Sequence, residues 1–352
     1  MKQQLYKLLG IGLWVLFGCL AWQQPCAAQD IQFSDLNRTP LQVNAAQTGN
    51  FDGKIRVLAG YRNQWSQVLR SDAYITQFLS VENRLLSDEK QTFSLGISAA
   101  RDASGELQSG SRSLKLSAAY DREIISTTTA DHSIIIGLEG GWVSRNIYTN
   151  TARWTAQHIG SGEFSNVDPS GELLNRQSTL DLNGGLIWKS IFHNGNTFYL
   201  GAATHHLNKP SVSLLTDEEV TLTVRYAIHG SGEFYLSEKY SFIPSFLFSS
   251  QGNVWALSTG SFFRKYLGPP TIKSITGGLL VNAGNDIAKS VNVIAVTPVF
   301  SLDFDRLSIG LSYDLPISDY RLQGSFNGGA ELTVGYIFGT QQLQNIVPVP
   351  EY

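Results

Sequence analysis

The chain has 352 residues, with 26 basic and 29 acidic side chains, and charged residues make up only 16% of it, against about 25% in average soluble domains. A net charge of −3 argues against a protein that holds nucleic acid through a positive surface, because such binding needs many lysine and arginine contacts to phosphates. Aromatic residues reach 11% and there are 33 glycines, which is an unusual composition for a soluble chain of this length.

The first 28 residues have the pattern of a secretory signal peptide. Lys2 and Lys7 provide a positive start, an apolar run follows from Leu8 to Leu20, and small residues lead to Ala28. This order predicts export and cleavage after Ala28. A retained membrane anchor is the first alternative, but the apolar run is shorter than the roughly 20 residues that cross a bilayer.

Lipoprotein processing at Cys19 is the second alternative, although Phe17 departs from the usual lipobox. Cleavage after Ala28 would remove both Cys19 and Cys26, the two cysteines of the chain. The mature protein would then have no disulfide, no thiol nucleophile and no cysteine metal site. We expect residues 29–53 to form an N-terminal periplasmic segment or a plug.

From Lys54 to Phe338 the chain alternates between apolar and polar residues with a period of two, which indicates β-strands with one apolar face. The clearest segment, 306–315, has Leu307, Ile309 and Leu311 separated by Ser308 and Gly310. About fourteen such segments occur, although 239–266 alternates poorly. Their approximate spans are 54–62, 73–84, 91–101, 111–121, 132–145, 178–190, 196–207, 221–235, 239–249, 253–266, 272–283, 289–302, 306–315 and 328–338.

These strands predict an all-β fold, a transmembrane antiparallel up-and-down β-barrel of about 14 strands and outer-membrane type. The segments are mostly about 9–14 residues long, close to the 9–11 residues of tilted membrane strands, and their number is even, as in bacterial single-chain barrels. A periplasmic β-sandwich or propeller would also explain strands and turns, but it would not require strands of this length.

The connections between the predicted strands alternate in length. If the N-terminus is periplasmic, the longer connections fall mainly on the outer side, as expected for outer-membrane barrels. The longest of them, residues 146–177, is rich in Gly, Ser and Asn and is the expected extracellular feature. The prediction therefore places the protein in the outer membrane of a Gram-negative bacterium, with outer-membrane lipid around it and both termini in the periplasm.

The polar faces of the strands contain charges of both signs, and we expect them to face the lumen. They could form a charged lumen that binds or filters a solute. They could also be paired with one another, because unpaired buried charges are costly. The lumen charges proposed from the sequence are Arg56, Arg62, Lys115, Glu139, Asp181, Arg225, Asp314 and Glu331.

The sequence contains no recognisable catalytic, cofactor or metal motif. His205 and His206 are adjacent, so on a regular strand their side chains would point to opposite faces and could not share a metal. His158, His193 and His229 have no cysteine or carboxylate at ligand spacing. A Gly-x-Ser-x-Gly nucleophile elbow does not occur. No cofactor and no enzymatic activity are therefore expected.

An ordered set of short motifs resembles the PorP/SprF family of type IX secretion membrane proteins. The set begins at residues 28–34 and continues through 39–41 and 48–51. Its most recognisable piece is Gly60-Tyr61 followed by Arg62, Asn63, Gln64 and Trp65. Later pieces are residues 137–142, 206–210 with His206 and Pro210, 229–230, 312–314 with Tyr313 and Asp314, and 329–338 with Glu331.

Two features depart from the family pattern. Ala45-Ala46-Gln47 stands where Asn-Pro-Ala is usual before Thr-Gly, and the chain continues past Phe338. The family generally ends at this terminal aromatic residue, so we expect residues 339–352 to form a C-terminal periplasmic tail.

The resemblance implies a non-enzymatic barrel that supports type IX secretion or surface anchoring of a partner. Such partners are secreted surface proteins with a C-terminal sorting domain, of adhesin or gliding-motility type, and other type IX secretion components are expected as further partners. The motif residues from Arg62 to Trp65 are candidates for partner contacts, although Trp65 could equally be an anchor at the membrane interface. A general porin or small-molecule transporter is the alternative, and an outer-membrane hydrolase is a third possibility.

Overall fold

The computed structural model describes residues 33–35, 37–88, 90–105, 107–147, 157–160, 163–165, 176–214, 219–268, 271–285, 291–317 and 328–339. Fourteen of its strands close into one antiparallel barrel in which each strand pairs with its neighbours in the chain and the last pairs with the first. These strands are β1 (Ile55–Gln64), β2 (Tyr74–Ser87), β3 (Gln91–Ser104), β4 (Ser109–Ser126), β5 (Ala130–Asn146), β8 (Arg176–Phe192), β9 (Thr197–His205), β10 (Arg225–Ser237), β11 (Tyr240–Gln251), β12 (Val254–Tyr266), β13 (Ser274–Asn285), β14 (Val291–Asp303), β15 (Leu307–Pro316) and β16 (Gly329–Phe338).

A two-stranded hairpin, β6 (His158–Gly160) and β7 (Glu163–Phe164), lies in the connection between β5 and β8 and pairs outside the barrel sheet. Closure of the main sheet is completed by ten pairs between β1 and β16, from Ile55↔Phe338 to Gln64↔Gly329. A closed barrel has no unpaired edge strand, so the backbone groups of every strand have partners on both sides. The predicted barrel is thus confirmed.

The two ends of the barrel have connections of different length. At one end, here the short-turn end, β2–β3, β4–β5 and β10–β11 are joined by residues 88–90, 127–129 and 238–239. At the other, here the long-loop end, the connections include 65–73, 147–175 and 206–224, although 252–253 is a two-residue turn. Most of the predicted extracellular loop 146–177 lies outside the described residues.

Alternation separates an apolar outer face from a polar inner face. On β2, Leu79 and Val81 are exposed, whereas the residues that alternate with them, Phe78, Ser80 and Glu82, are buried. Exposed leucines, isoleucines and aromatic residues recur on the same outer face of most strands, which is the apolar band that lipid would cover. The buried side chains point into the barrel.

The predicted strands agree with the structure except at a few ends. The fourteen predicted segments correspond one by one to the barrel strands, and β4, β5 and β8 extend further at both ends than predicted. The segment 221–235 begins as a strand only at Arg225, and 196–207 ends as a strand at His205. The backbone of His206 has a φ of 58°, which is left-handed and cannot continue a strand.

Residues 33–35 and 37–53, here the lumen segment, precede β1 and pack against the inner wall. The segment contains a one-turn helix, α1 (Pro40–Val43), and a 3₁₀ turn, Ala45–Gln47. Pro40 at the first helical position has the backbone φ that a helix needs. Leu41, Asn44 and Ala46 are at most 2% exposed, although the segment has no sheet or core of its own.

The connection between β1 and β2 contains a short helix, α2 (Ser66–Leu69), followed by a 3₁₀ turn, Arg70–Asp72. In the part of the chain that the structure describes, none of the helices has the length and hydrophobicity to cross a membrane.

Candidate functional site

Asn44 fixes the lumen segment in the middle of the barrel. Its side-chain oxygen accepts a hydrogen bond from the backbone N–H of Ala46, and its Nδ2 lies 3.2 Å from the carbonyl oxygens of Leu186 and Ala202. The same Nδ2 is 2.9 Å from Nε2 of His229. Asn44 and His229 are fully buried, so this amide connects the lumen segment to three neighbouring strands, β8, β9 and β10.

Two inward glycines leave the space that the lumen segment occupies. A Cβ atom on Gly137 would lie 2.2 Å from the backbone nitrogen of Ala46, and one on Gly185 would lie 1.7 Å from Oδ1 of Asn44. Both distances are too short for any real contact. Gly184, the neighbour of Gly185, faces outward and would meet no atom closer than 3.6 Å. The wall is therefore shaped for this segment at Gly137 and Gly185.

Glu82 of β2 joins the lumen segment to the wall near the short-turn end. Its carboxylate accepts hydrogen bonds from Nε and Nη2 of Arg56, at 2.9 and 2.8 Å. It also accepts a hydrogen bond from the backbone N–H of Gly49, at 3.0 Å. Glu82 is completely buried. Such a carboxylate is stable inside a protein only when it is paired and hydrogen-bonded, and here one of those bonds comes from the lumen segment.

A second group of charges lies closer to the long-loop end. Nη2 of Arg62 is 2.6 Å from Oδ2 of Asp314, and Arg62 is paired across the strands with Glu331. Ser34 of the lumen segment donates its backbone N–H to Glu331 and its hydroxyl to Asp314, each at 2.9 Å. Thr297 of β14 also donates to Asp314, at 2.6 Å. Ser34 of the lumen segment thus binds two predicted residues, Glu331 and Asp314, and Asp314 in turn pairs with Arg62.

A third group links β4, β5 and β8. Nζ of Lys115 lies 3.3 Å from Glu139 and 3.0 Å from Asp181, and Asn183 donates to Glu139 at 2.7 Å. Nδ1 of His206 is 2.8 Å from the other oxygen of Asp181. The carboxylates are almost completely buried, and each has a basic or amide partner.

The two adjacent histidines behave differently from the prediction. A regular strand would place them on opposite faces, but the left-handed backbone at His206 turns its side chain inward as well. Both histidines are 4% exposed, with ring centroids 6.4 Å apart. Nε2 of His205 lies 3.1 Å from the carbonyl oxygen of Val43, so His205 holds the lumen segment while His206 holds Asp181. The opposite-face argument was wrong because the strand ends at His205.

Arg225 completes the contacts on this side by donating Nη2 to the carbonyl oxygen of Gln42 at 3.1 Å. The remaining predicted residues do not join these groups. Asn63 and Tyr313 occupy outward positions on β1 and β15, and Gln64 lies at the end of β1. Trp65 follows β1 and has a backbone φ of 65°. Its backbone N–H donates a hydrogen bond to the carbonyl oxygen of Gly328. Pro210 is buried in the connection after β9 and accepts a hydrogen bond from Leu222.

Near the short-turn end, a cavity of about 200 Å³ separates the lumen segment from part of the wall. Ile243, Phe262 and Val299 line its apolar side, and they form one buried cluster with Leu280. The lumen segment lines the opposite side with residues that include Arg38, which lies 3.6 Å from Asp303. Across the described chain, three or more metal-ligating side chains do not gather anywhere.

Three residues that connect the lumen segment to the wall were not predicted from the sequence: Glu82, Ser34 and Asn44. Glu82 has a detectable signal, because it alternates with the inward residues Phe78 and Ser80. Ser34 and Asn44 have none, because they lie in a non-periodic segment. The partners of Ser34 are up to 297 residues away in the chain, and those of Asn44 are up to 185 residues away.

The arrangement is therefore a barrel whose interior charges are cross-linked and whose lumen segment is bonded to the wall on many sides. A family model described as type IX secretion system membrane protein PorP/SprF matches residues 26–336. No curated protein matches the sequence.

Several solved structures of membrane barrels are similar in fold. The toluene transporter TbuX of Ralstonia pickettii has 10% identity and a TM-score of 0.48, covering 90% of this chain and 96% of the transporter. The toluene transporter TodX of Pseudomonas putida has 10% identity and a TM-score of 0.43, with 88% and 95% covered. CdiB from Escherichia coli has 8% identity and a TM-score of 0.45, with 80% and 63% covered.

Proposed function

Because the chain belongs to the PorP/SprF family of type IX secretion system membrane proteins, we propose that it is a non-enzymatic outer-membrane barrel that supports secretion or surface anchoring of partner proteins. The partners are secreted surface proteins with a C-terminal sorting domain, of adhesin or gliding-motility type. Other type IX secretion components contact it in the periplasm. The long-loop end faces the outside, and both termini are periplasmic.

The main support for this proposal is that the lumen segment occupies the interior of the barrel. The lumen segment is bonded to inward groups of β2, β9, β10, β15 and β16 through Glu82, His205, Arg225, Asp314 and Glu331. A general porin needs a water-filled passage, whereas here the middle of the barrel is filled by protein. The filled interior favours a function at the ends of the barrel over diffusion through it.

The charges of the lumen support the same conclusion. Lys115, Glu139 and Asp181 are satisfied by one another, and Arg56 is satisfied by Glu82. Paired charges of this kind stabilise a wall and leave few groups with which to select a solute. A transporter that selects its solute with these charges would require the ion pairs to open.

Deletion of the gene followed by quantitative surface proteomics tests the function. We expect one or more surface proteins with a C-terminal sorting domain to disappear from the cell surface, while uptake of small solutes is unchanged. An unchanged surface with altered solute uptake would contradict the proposal and favour the porin. A hydrolytic activity of the purified barrel that one substitution abolishes would instead favour an enzyme.

The orientation can be tested separately by cysteine labelling, because both natural cysteines lie within residues 1–28. Ser71→Cys places a thiol in an exposed connection at the long-loop end, and Asn194→Cys places one in an exposed short turn. A membrane-impermeant maleimide should label only the Ser71→Cys variant on intact cells. Labelling of only the Asn194→Cys variant would reverse the orientation.

A further inference from the structure

The cavity near the short-turn end has a chemistry that the proposed function does not use. It lies between the lumen segment and the ends of β9, β12 and β14, where Thr197, Arg264 and Ser301 line it. Asn37 of the lumen segment also lines the cavity and is exposed to solvent. This exposed residue places the mouth of the cavity at the short-turn end, so a small solute can enter without displacing the lumen segment.

Arg38 presents unused hydrogen-bond donors to the cavity. Its side chain lines the cavity and is only 15% exposed. Nη2 lies 3.6 Å from Oδ1 of Asp303 and Nε lies 4.0 Å from Oδ2 of Asp35, and both distances are longer than a hydrogen bond. The guanidinium group has five N–H donors, but it donates no hydrogen bond to any residue that the structure describes. Donors buried in this way are costly unless an acceptor reaches them.

Asp35 presents an acceptor to the same space. Its Oδ1 accepts a hydrogen bond from the backbone N–H of Asn37 at 3.0 Å, whereas its Oδ2 accepts none from the described residues. Across the cavity, Arg264 is better satisfied, because it donates to Glu233 at 2.7 Å and to Thr276 at 3.1 Å. The lumen segment therefore offers both a donor group and an acceptor group to a ligand in the cavity.

The charges around the cavity disfavour an ionic ligand. The side chains that line it, or that pair with those lining it, include three carboxylates and two guanidinium groups: Asp35, Glu233, Asp303, Arg38 and Arg264. An anion would add to the excess of negative charge in a largely buried space. A cation has no acceptor for the donors of Arg38. A neutral molecule with several hydroxyl groups meets both conditions, because each hydroxyl can donate and accept.

The rest of the wall fits the ring of such a molecule. Ile243, Phe262 and Val299 form an apolar surface, and Ser231 and Ser301 add hydroxyl groups. The volume of about 200 Å³ is below the roughly 300–1,000 Å³ of pockets for drug-sized ligands, so it suits a single ring. Pyranose sugars combine apolar C–H faces with a rim of hydroxyl groups, which matches these two surfaces.

We propose that the cavity binds a neutral pyranose sugar. Hydroxyl groups of the sugar accept hydrogen bonds from Arg38 and donate one to Asp35, and a C–H face of the ring packs on Phe262. A free monosaccharide and the end of a neutral glycan chain both present this hydroxylated ring. Sugar binding of this kind is separate from the secretion or anchoring function and does not depend on it.

Saturation-transfer difference NMR tests the site on the purified full-length protein, in a zwitterionic detergent that has no sugar headgroup. The probes are D-glucose, D-galactose and D-mannose, the neutral tetrasaccharide maltotetraose, and the charged analogues glucosamine and glucuronate. Wild type should bind at least one neutral sugar saturably and more tightly than either charged analogue. Tighter binding of maltotetraose would identify the end of a glycan chain as the source, and tighter binding of a monosaccharide would identify a free sugar.

Two variants and a matched control test whether the sugar binds in the cavity. Asp35→Asn keeps the size of the side chain but removes its charge, so it should weaken binding about tenfold. Ser301→Leu fills part of the cavity, leaves Asp35 unchanged, and should abolish saturable binding. The control Asp102→Asn changes a lumen carboxylate that is bonded to Thr76 outside the cavity, and it should bind sugar as wild type does. Unchanged heat-dependent gel mobility shows that each variant is folded.

A wild type that binds none of the neutral sugars saturably would overturn the proposal. Equal binding by wild type and Ser301→Leu would overturn it as well, because the sugar would then bind elsewhere on the protein. Tighter binding of glucosamine or glucuronate than of the neutral sugars would show that the cavity selects an ion, against the proposal. The titration uses purified protein, so its failure and a failure of the surface proteomics are distinguishable.

Discussion

The barrel wall has two sectors that differ in how they meet the lumen segment. In the first sector, which comprises β1–β5, β8–β10, β15 and β16, most strands are bonded to the lumen segment through buried polar groups, of which Glu82 and Asp314 are examples. The sector from Tyr240 to Asp303, β11–β14, instead presents the apolar cluster of Ile243 and Phe262 to a cavity. It meets the lumen segment through Arg38 and Asp303.

The second sector also has interrupted pairing at both of its borders. Between β10 and β11 the register omits Ile243 and Pro244, and between β14 and β15 it omits Thr297 and Pro298. Proline has no N–H to donate to the neighbouring strand. We infer that the lumen segment stabilises the part of the wall that it contacts, whereas β11–β14 depend on apolar packing.

The largest effect is expected at the anchor of the first sector. Glu82→Ala would leave Arg56 buried without its partner and Gly49 without its acceptor, so the free energy of unfolding should fall by about 3–5 kcal/mol. Urea unfolding in lipid vesicles, followed by tryptophan fluorescence, measures it. Asp102→Ala is the matched control, because Asp102 is a lumen carboxylate bonded to Thr76 of the wall, and it should cost about 1 kcal/mol. Equal losses would remove the distinction between anchor and wall.

A matched pair of phenylalanines compares the sectors directly. Phe78 and Phe262 are both 3% exposed, but Phe78 packs edge-on against Phe33 of the lumen segment with ring centroids 6.2 Å apart. Phe78→Ala should cost about 3–5 kcal/mol and should expose the lumen segment to trypsin at Arg38. Phe262→Ala should cost less, because its side chain already borders a cavity, and Arg38 should remain protected. The same cleavage rate in both variants would show that the sectors do not differ.

Substitution of Gly184 or Gly185 of β8 tests how closely the lumen segment fits against the wall, because each change adds a methyl group and removes no side chain. Gly185→Ala would place a methyl group on Asn44 and force it to move, at a cost of about 1–3 kcal/mol. The methyl group added by Gly184→Ala would face outward, so this variant should leave the free energy of unfolding nearly unchanged. Cleavage by trypsin after Arg38 should accelerate only in Gly185→Ala. If the two variants behave alike, the lumen segment is not held against β8 as described.

The smallest effect is expected at the interrupted pairing. Pro298→Ala restores an N–H facing β15 and should add a ladder hydrogen bond, with a net gain of about 1 kcal/mol at most. Amide hydrogen exchange of the strand residues around Ser312 and Leu315 should become slower in this variant. Unchanged or faster exchange would show that the gap in pairing does not weaken this border.

The strands could be predicted from the sequence because lipid on one side and polar groups on the other impose a period of two. The prediction was weakest at 239–266, and the structure gives the reason. Ile243 and Phe262 make the inner face apolar as well, so the contrast between faces is small there. His206 was misplaced for a different reason, since a single left-handed residue ends β9 and nothing in its neighbours signals it.

The position of the lumen segment could not be chosen from the sequence. The prediction left a periplasmic segment and a plug as alternatives for residues 29–53, because a segment without periodicity has no face to assign. Its contacts depend on partners brought close only by closure of the barrel, such as Ser34 with Asp314 and Asn44 with His229. Nothing in the sequence specified which residues would lie against the inward glycines Gly137 and Gly185.

Ion conductance of the purified barrel in a planar lipid bilayer tests most directly whether the lumen segment closes the lumen. We expect wild type and Gly184→Ala to give no steady current, whereas Gly185→Ala and Phe78→Ala should give channel openings as the lumen segment loosens. A steady current through wild type, equal to that of Gly185→Ala, would show instead that the lumen segment does not close the barrel and that the barrel is an open channel.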